Sequence, residues 1–180
     1  MILFLPEEPH HLPAVETLLD ACFGHDRYNK PVYALRRTLV PLPELCFIAL
    51  VDGELKASIR FWRIAAGDQP ALLLGPLGVD PARRGQGMGR ALVRMGLAKA
   101  EELGFALCFL TGDATYYRQF GFETVDPAVW LKGEESARLL GLALKPGALN
   151  GVSGELHAGR WVRPEVKPAL ADPGLSVLAS

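Results

Sequence analysis

Leu77-Gly78-Val79-Asp80-Pro81-Ala82-Arg83-Arg84-Gly85-Gln86-Gly87-Met88-Gly89-Arg90 is the stretch on which the reading of this chain turns. It begins as the end of an apolar run, breaks at Asp80-Pro81, and passes through three alternating glycines into a helical pattern. The first N–H groups of a helix have no partner inside it, and the helix dipole makes that end positive. Glycines let an anion approach those amides with no Cβ in the way. Arg83, Arg84 and Arg90 add three cations within eight residues. The loop therefore reads as a cradle for phosphate.

The spacing narrows which phosphate ligand it can serve. A P-loop needs G-x-x-x-x-G-K-[ST], and no Lys-Ser or Lys-Thr follows these glycines. A dinucleotide fingerprint needs G-x-G-x-x-G, but the third place after Gly87 is Arg90. That fingerprint also opens the first βα unit of a parallel sheet, whereas this loop follows a hairpin and a third strand.

Working outward, Ile2 to Leu5 predicts a first strand, and Leu12 to Phe23 a helix with apolar residues at Leu12, Val15, Leu18, Leu19 and Cys22. Gly24-His25-Asp26 ends it. Pro31 suits the first position of a second helix, which runs through Leu39 to the Pro41/Pro43 break. Cys46 to Val51 and Glu54 to Trp62 flank Asp52-Gly53, a two-residue hairpin signal. In the second of these strands Leu55, Ala57, Ile59 and Phe61 share one face; Lys56, Ser58, Arg60 and Trp62 share the other. Ala71 to Val79 is a third strand. A helix from about Gly87 to Leu103 has Leu92, Met95 and Leu103 on its buried stripe and stops at Gly104. Phe105 to Leu110 is a continuous apolar run, as in a strand covered on both faces. Asp113 caps a two-turn helix ending at Gly121, and Arg138 to Leu144 reads as a last strand. The order β-α-α-β-β-β-α-β-α-β describes one α/β domain with α+β character over residues 1–150. Residues 151–180 form a C-terminal extension, rich in Gly and Pro, that becomes a loosely held tail after Pro164.

The bulk numbers set limits. A chain of 180 residues can bury about 70% of its unfolded surface. A net charge of −1 gives no global reason to expect nucleic acid or an anionic membrane, and no run approaches the ~20 apolar residues of a membrane span. Cys22, Cys46 and Cys108 have no paired spacing and read as reduced thiols in a cytoplasmic protein. His10, His11 and His157 lack a ligand spacing that would suggest zinc, so no metal is expected.

Leu77-Gly78-Val79-Asp80-Pro81 followed by Arg84-x-x-Gly87-x-Gly89 resembles the acetyl-CoA signature of the GNAT superfamily of N-acetyltransferases. Tyr117-Arg118-Gln119-Phe120-Gly121-Phe122 is similar to the same family's Tyr-x-x-x-Gly-Phe segment, and the two motifs stand in family order. The resemblance covers roughly residues 1–125. It implies a mixed, mostly antiparallel central sheet flanked by helices. It further implies that the backbone of Leu77, Gly78 and Val79 pairs with a pantetheine arm, while Arg84, Gly85, Gln86, Gly87, Met88, Gly89 and Arg90 wrap the pyrophosphate. Pro76 has no N–H to donate, which predicts that this strand parts from Phe105–Leu110 at that point.

The implied reaction is direct attack of an amine on acetyl-CoA within a ternary complex. Such a transfer needs a neutral amine, a donor for the oxyanion and a proton for the departing thiolate. The resemblance assigns the oxyanion to an N–H near Gly78 or Val79 and the proton to Tyr117. Tyr116 competes for that role, although its i,i+4 relation to Phe120 predicts that it shares the buried face and leaves Tyr117 elsewhere. No carboxylate stands on Ala71–Val79. His25, Asp26 and Asp113 are candidate bases, none of them assigned, and Asp113 is already explained as a cap. Arg60 and Trp62 are candidates for an acceptor pocket or for a rim; Trp130 and Trp161 for core or interface. A small-molecule amine and a protein amine both remain open as acceptor, and Leu139 to Leu144 could pair between subunits of a homodimer. The alternative is a non-catalytic acyl-CoA-binding or sensing module.

Overall fold

The computed structural model describes residues 1–159. Strand β1 (Ile2–Pro6) leads into helix α1 (Leu12–Phe23), which ends at Gly24 with φ of +73°. Helix α2 (Pro31–Arg36) begins at the expected proline but is shorter than predicted. Leu39 N–H already closes a three-residue turn on the Arg36 carbonyl, 3.0 Å, and so unwinds the helix well ahead of Pro41.

Strands β2 (Phe47–Val51) and β3 (Glu54–Ala66) meet at Asp52-Gly53. Both turn residues take positive φ, 51° and 87°, as a tight hairpin matching the strand twist requires. The clean alternation predicted for β3 fails at Leu55. A bulge opposite Ala49/Leu50 puts an extra residue into the strand, turning Leu55 toward Val15, Leu19 and Ile48 under α1. Ala57, Ile59 and Phe61 keep the expected face.

Strand β4 (Gln69–Val79) precedes the glycine loop and helix α3 (Met88–Glu102). The buried stripe of α3 is Leu92, Val93, Gly96, Leu97 and Ala100. Met95 and Leu103 sit at its margin, because small residues form the line of closest approach: a Cβ on Gly96 would stand 2.4 Å from Phe61 Cε2. Strand β5 (Leu107–Thr111) starts two residues later than predicted, since Phe105 N–H is engaged with the Ala100 carbonyl at the helix end. After it come α4 (Ala114–Tyr117), β6 (Glu123–Thr124), β7 (Val129–Trp130), β8 (Leu139–Ala143) and β9 (Gly154–His157). The sequence pattern misses β6, β7 and β9, whose two to four residues carry no period to read.

The sheet runs β1-β2-β3-β4-β5-β8-β6, with only β4–β5 parallel along that path. Strand β9 pairs with the far end of β3 at Ala65 and Ala66, and with β7, so the sheet takes in residues beyond 150. One face packs on α3 through Phe61, Leu72, Leu74, Cys108 and Leu110. The other carries Trp62, Ile64, Leu73, Leu107 and Phe109 against Val32, Leu131 and Leu156. Adjacent β5 residues thus enter opposite cores, which is why that run is apolar throughout. Strand β8 lies between β5 and β6 with both edges hydrogen-bonded and Leu139 and Leu140 buried. It is therefore not free to pair between subunits as the sequence suggested. Trp130 stands 46% exposed at the surface, and Trp161 falls outside the described residues.

Candidate active site

Strands β4 and β5 part where the proline predicts. They pair at Leu72/Cys108 and Leu73/Phe109 and no further. On its other edge β4 stays paired with β3, Leu77 with Ile59 and Val79 with Ala57, after a register shift that absorbs the Gly75-Pro76 step. Trp62 holds that step in place: its Nε1–H donates to the Gly75 carbonyl at 2.5 Å. The backbone of Leu77–Val79 is left with one edge open to the cleft between the two strands.

Two cavities meet at this cleft and share Leu77 and Phe23 as walls. The larger, about 480 Å³, is bounded by Val79 and by the loop residues Arg83, Arg84, Gly85, Gly87, Gly89 and Arg90. Gly87 begins α3 at φ of +84°, a conformation that L side chains adopt at a cost. Gly89 is needed for another reason. A Cβ there would stand 3.0 Å from the Tyr116 hydroxyl and 3.2 Å from Val79 Cγ2, filling the floor of the cavity. Met88 reaches the same wall, although its side chain is buried in the core. Arg84 and Arg90 are exposed at the rim. Cys22, a reduced thiol as expected, donates its S–H to the Val79 carbonyl at 3.2 Å and so pins the end of α1 to β4.

Gln86 and Gly78 are not among the residues that wall the larger cavity. Gln86 is exposed. Gly78 faces α1, where a Cβ would meet Leu19 Cδ2 at 2.9 Å, so only its backbone can serve the cleft.

The smaller cavity, about 200 Å³, is walled by Gly75, Pro76, Leu77, Thr111, Tyr117 and Arg36 among others. The two tyrosines divide the cavities, with Tyr116 on the larger and Tyr117 on the smaller. Tyr116 does contact Phe120, ring centroids 5.7 Å apart. Yet Tyr117 is the more deeply buried of the pair, reversing the expectation. The chain turns back at Gly121, φ +90°, and lays buried Phe122 edge-on against Tyr117 at 5.8 Å. Burial, with neighbouring Tyr116 adding to it, pushes the Tyr117 phenol above its ordinary value.

None of the three candidate bases reaches either cavity. Asp113 accepts from Thr115 N–H at 2.8 Å as the α4 cap. His25 lies at the surface, 3.4 Å from Asp20, and Asp26 is exposed. Among the described residues no carboxylate or imidazole lines the two cavities. Arg60 and Trp62 wall a third space of about 150 Å³ behind Pro76. The Arg60 guanidinium is committed there to Glu7 at 2.6 and 2.9 Å and to Glu16 at 3.0 Å, tying β1 and α1 to the sheet. Phe23 and Arg36 line the cavities without having been expected there, and Tyr116, a competing acid in the sequence pattern, walls the larger one. Their only local signal is the helix stop at Gly24 and the aromatic pair before the Gly121 turn.

The acetyltransferase (GNAT) family model matches residues 12–122. The chain is 33% identical over 159 residues to the uncharacterized N-acetyltransferase YhbS of Escherichia coli K12, covering 85% of this chain and 93% of that one. The crystal structure of Escherichia coli YhbS in complex with CoA superposes with a TM-score of 0.70 at 28% identity, covering 88% and 89% of the two chains. A GNAT family acetyltransferase from Brucella melitensis in complex with acetyl-CoA gives 0.67 at 27%, covering 89% and 97%.

Proposed function

The chain belongs to the GNAT acetyltransferase family, and from that premise we propose that it transfers the acetyl group of acetyl-CoA to an amine by direct attack. The observation that carries the reading is the open edge of Leu77–Val79, set between an arginine-rimmed cavity and a second one holding a tyrosine. The relatives' complexes with CoA and acetyl-CoA support it.

Bound acetyl-CoA supplies an activated acyl thioester; everything else is asked of the protein. The amides at the start of α3, with Arg84 and Arg90, hold the pyrophosphate. The free edge of β4 accepts the pantetheine arm as an added strand. The N–H of Gly78 or Val79 donates to the oxygen that gains charge during attack. Tyr117, kept protonated by burial, gives its proton to the departing thiolate. With no carboxylate or imidazole of the described residues in the walls, the amine loses its own proton to water. The three free thiols fit a cytoplasmic setting, which is part of the same reading.

Tyr117→Phe is expected to lower kcat by about a hundredfold or more, in the range of a lost general acid, with acetyl-CoA affinity little changed. Undiminished kcat removes Tyr117 from the mechanism. The bare cavity walls also favour a second reading, a non-catalytic acyl-CoA sensor. CoA release across an amine panel decides between the two. Acetyl-CoA should raise the melting temperature where NAD and ATP do not; no shift at saturating concentration would sink both readings.

A further inference from the structure

Arg27, Arg36 and Arg60 are the buried arginines among the described residues. Two are accounted for by carboxylates. Arg60 is held by Glu7 and Glu16. Arg27 is paired with Asp20 and with Glu16 and also donates to the Gly24 carbonyl. Arg36 is different. It is 8% exposed, and no carboxylate of the described residues lies within ion-pair distance of it. Its guanidinium stands 4.9 Å from the Tyr33 ring and 5.8 Å from Trp62, and its Nε is buried without a hydrogen-bond partner. Such aromatic contacts offset only part of what it costs to take a charge out of water.

The placement of this charge is specific. Nη2 fills the space left by the missing side chain of Gly75, where a Cβ would stand only 2.8 Å away. Arg36 thereby forms a wall of the 200 Å³ cavity that Tyr117 and Leu77 also line. Lys30 and Arg138 bring two further cations to that lining; Arg138 is paired at 3.5 Å with Glu134, which is not itself among the lining residues. Burial lowers Arg36 to about 10, which still leaves it charged at neutral pH. A planar guanidinium is the group that receives a carboxylate through two parallel hydrogen bonds. The volume lies below the ~300–1,000 Å³ usual for drug-sized ligands, so the occupant is small.

Resting on the acetyl-transfer reading, we propose that the acceptor is a small amino carboxylate. Its carboxylate seats on Arg36, and its amine faces the open edge of β4 beside Tyr117. A polyamine is then excluded by like charge, and a bulky acceptor by size.

The test uses amines matched except for the anion: glycine with glycinamide, β-alanine with its amide, 4-aminobutanoate with its amide, and spermidine as a polycation. Initial rates of CoA release at saturating acetyl-CoA give kcat/KM for each. At least one acid should exceed its amide by about tenfold or more, mainly through KM, with spermidine inert. In Arg36→Gln that preference should shrink to within about twofold of parity while acetyl-CoA still raises the melting temperature. Arg36→Lys, which keeps the charge if Arg36→Gln fails to fold, should retain part of the preference. Ligand-observed NMR on CoA-saturated protein repeats the comparison without turnover. Amides equal to their acids in both assays, or spermidine preferred, would overturn the proposal. Loss of the acetyl-CoA shift in the wild type counts against the acetyl-transfer reading instead.

Discussion

Replacing Gly89 by alanine should separate the stability of the fold from its capacity to bind acetyl-CoA. Gly89 lies in the first turn of α3 with ordinary helical φ, so alanine fits the backbone and gains up to about 1 kcal/mol of helix propensity. The new Cβ would meet the Tyr116 hydroxyl at 3.0 Å and Val79 Cγ2 at 3.2 Å. Tyr116 is half-buried and can give by the few tenths of an ångström required. The two effects oppose each other, and the melting temperature of the free protein should move by no more than about 2–4 °C, equivalent to 1 kcal/mol at this chain length. Binding should respond very differently. The Cβ occupies the floor of the cavity where helix amides would meet the pyrophosphate. Losing one hydrogen bond to a charged group costs about 1.5–3 kcal/mol, or roughly tenfold to a hundredfold in Kd. Calorimetric titration with acetyl-CoA, alongside thermal unfolding without ligand, reads both quantities. Wild-type affinity in the alanine variant would refute the assignment of the phosphate site to the start of α3. A large fall in melting temperature would instead refute the view that Gly89 serves the ligand rather than the fold.

The pH profile follows from Tyr117. Its phenol is raised by burial, so the acid stays protonated through the range where an ordinary tyrosine ionises near 10. The rate should climb as the acceptor amine deprotonates and show no descending limb up to pH 10; a fall between pH 8 and 9 would point to a different acid. Gly96→Ala sets the same ~1 kcal/mol of helix propensity against overpacking of fully buried Phe61, about 1–3 kcal/mol. A net loss of up to about 8 °C is expected, and a rise in melting temperature would show that Phe61 has room to move. Glu7→Ala leaves buried Arg60 with only the more exposed Glu16 as partner, and should cost about 2–4 kcal/mol. Denaturant unfolding measures it, and a change under about 0.5 kcal/mol would mean the pair is not worth its burial.

What the sequence by itself determined is local. The Asp52-Gly53 turn, the α1 stripe with its Gly24 stop, and the glycines opening α3 each depend on residues within one or two turns of each other. The doubly buried run of β5 belongs to the same class, because burial on both faces leaves no polar position to interrupt the pattern. Local readings erred where a distant partner decides the outcome. Gly96 looks like a weak spot in α3 until Phe61, far away on β3, is brought against it. Leu55 changes sides because of a bulge that only the pairing with β2 creates. Leu139–Ala143 reads as a free apolar strand until β5 and β6 occupy its two edges.

The candidate site divides the same way. The loop, the strand before it and the Tyr117 segment were legible as a motif, and Pro76 foretold the parting of β4 from β5 through its missing N–H. Which tyrosine faces which cavity came only from the turn at Gly121 and the position of Phe122. Arg36 was invisible because an arginine in a helix reads as a solvated charge. The tertiary structure alone put it under Trp62 and against Gly75, with no carboxylate of the described residues beside it. A motif can point to the donor because the phosphate site proposed for it is built from contiguous backbone. The cavity proposed for the acceptor is lined by side chains gathered from α1, α2, β4, β5 and α4, and only the completed fold brings those together.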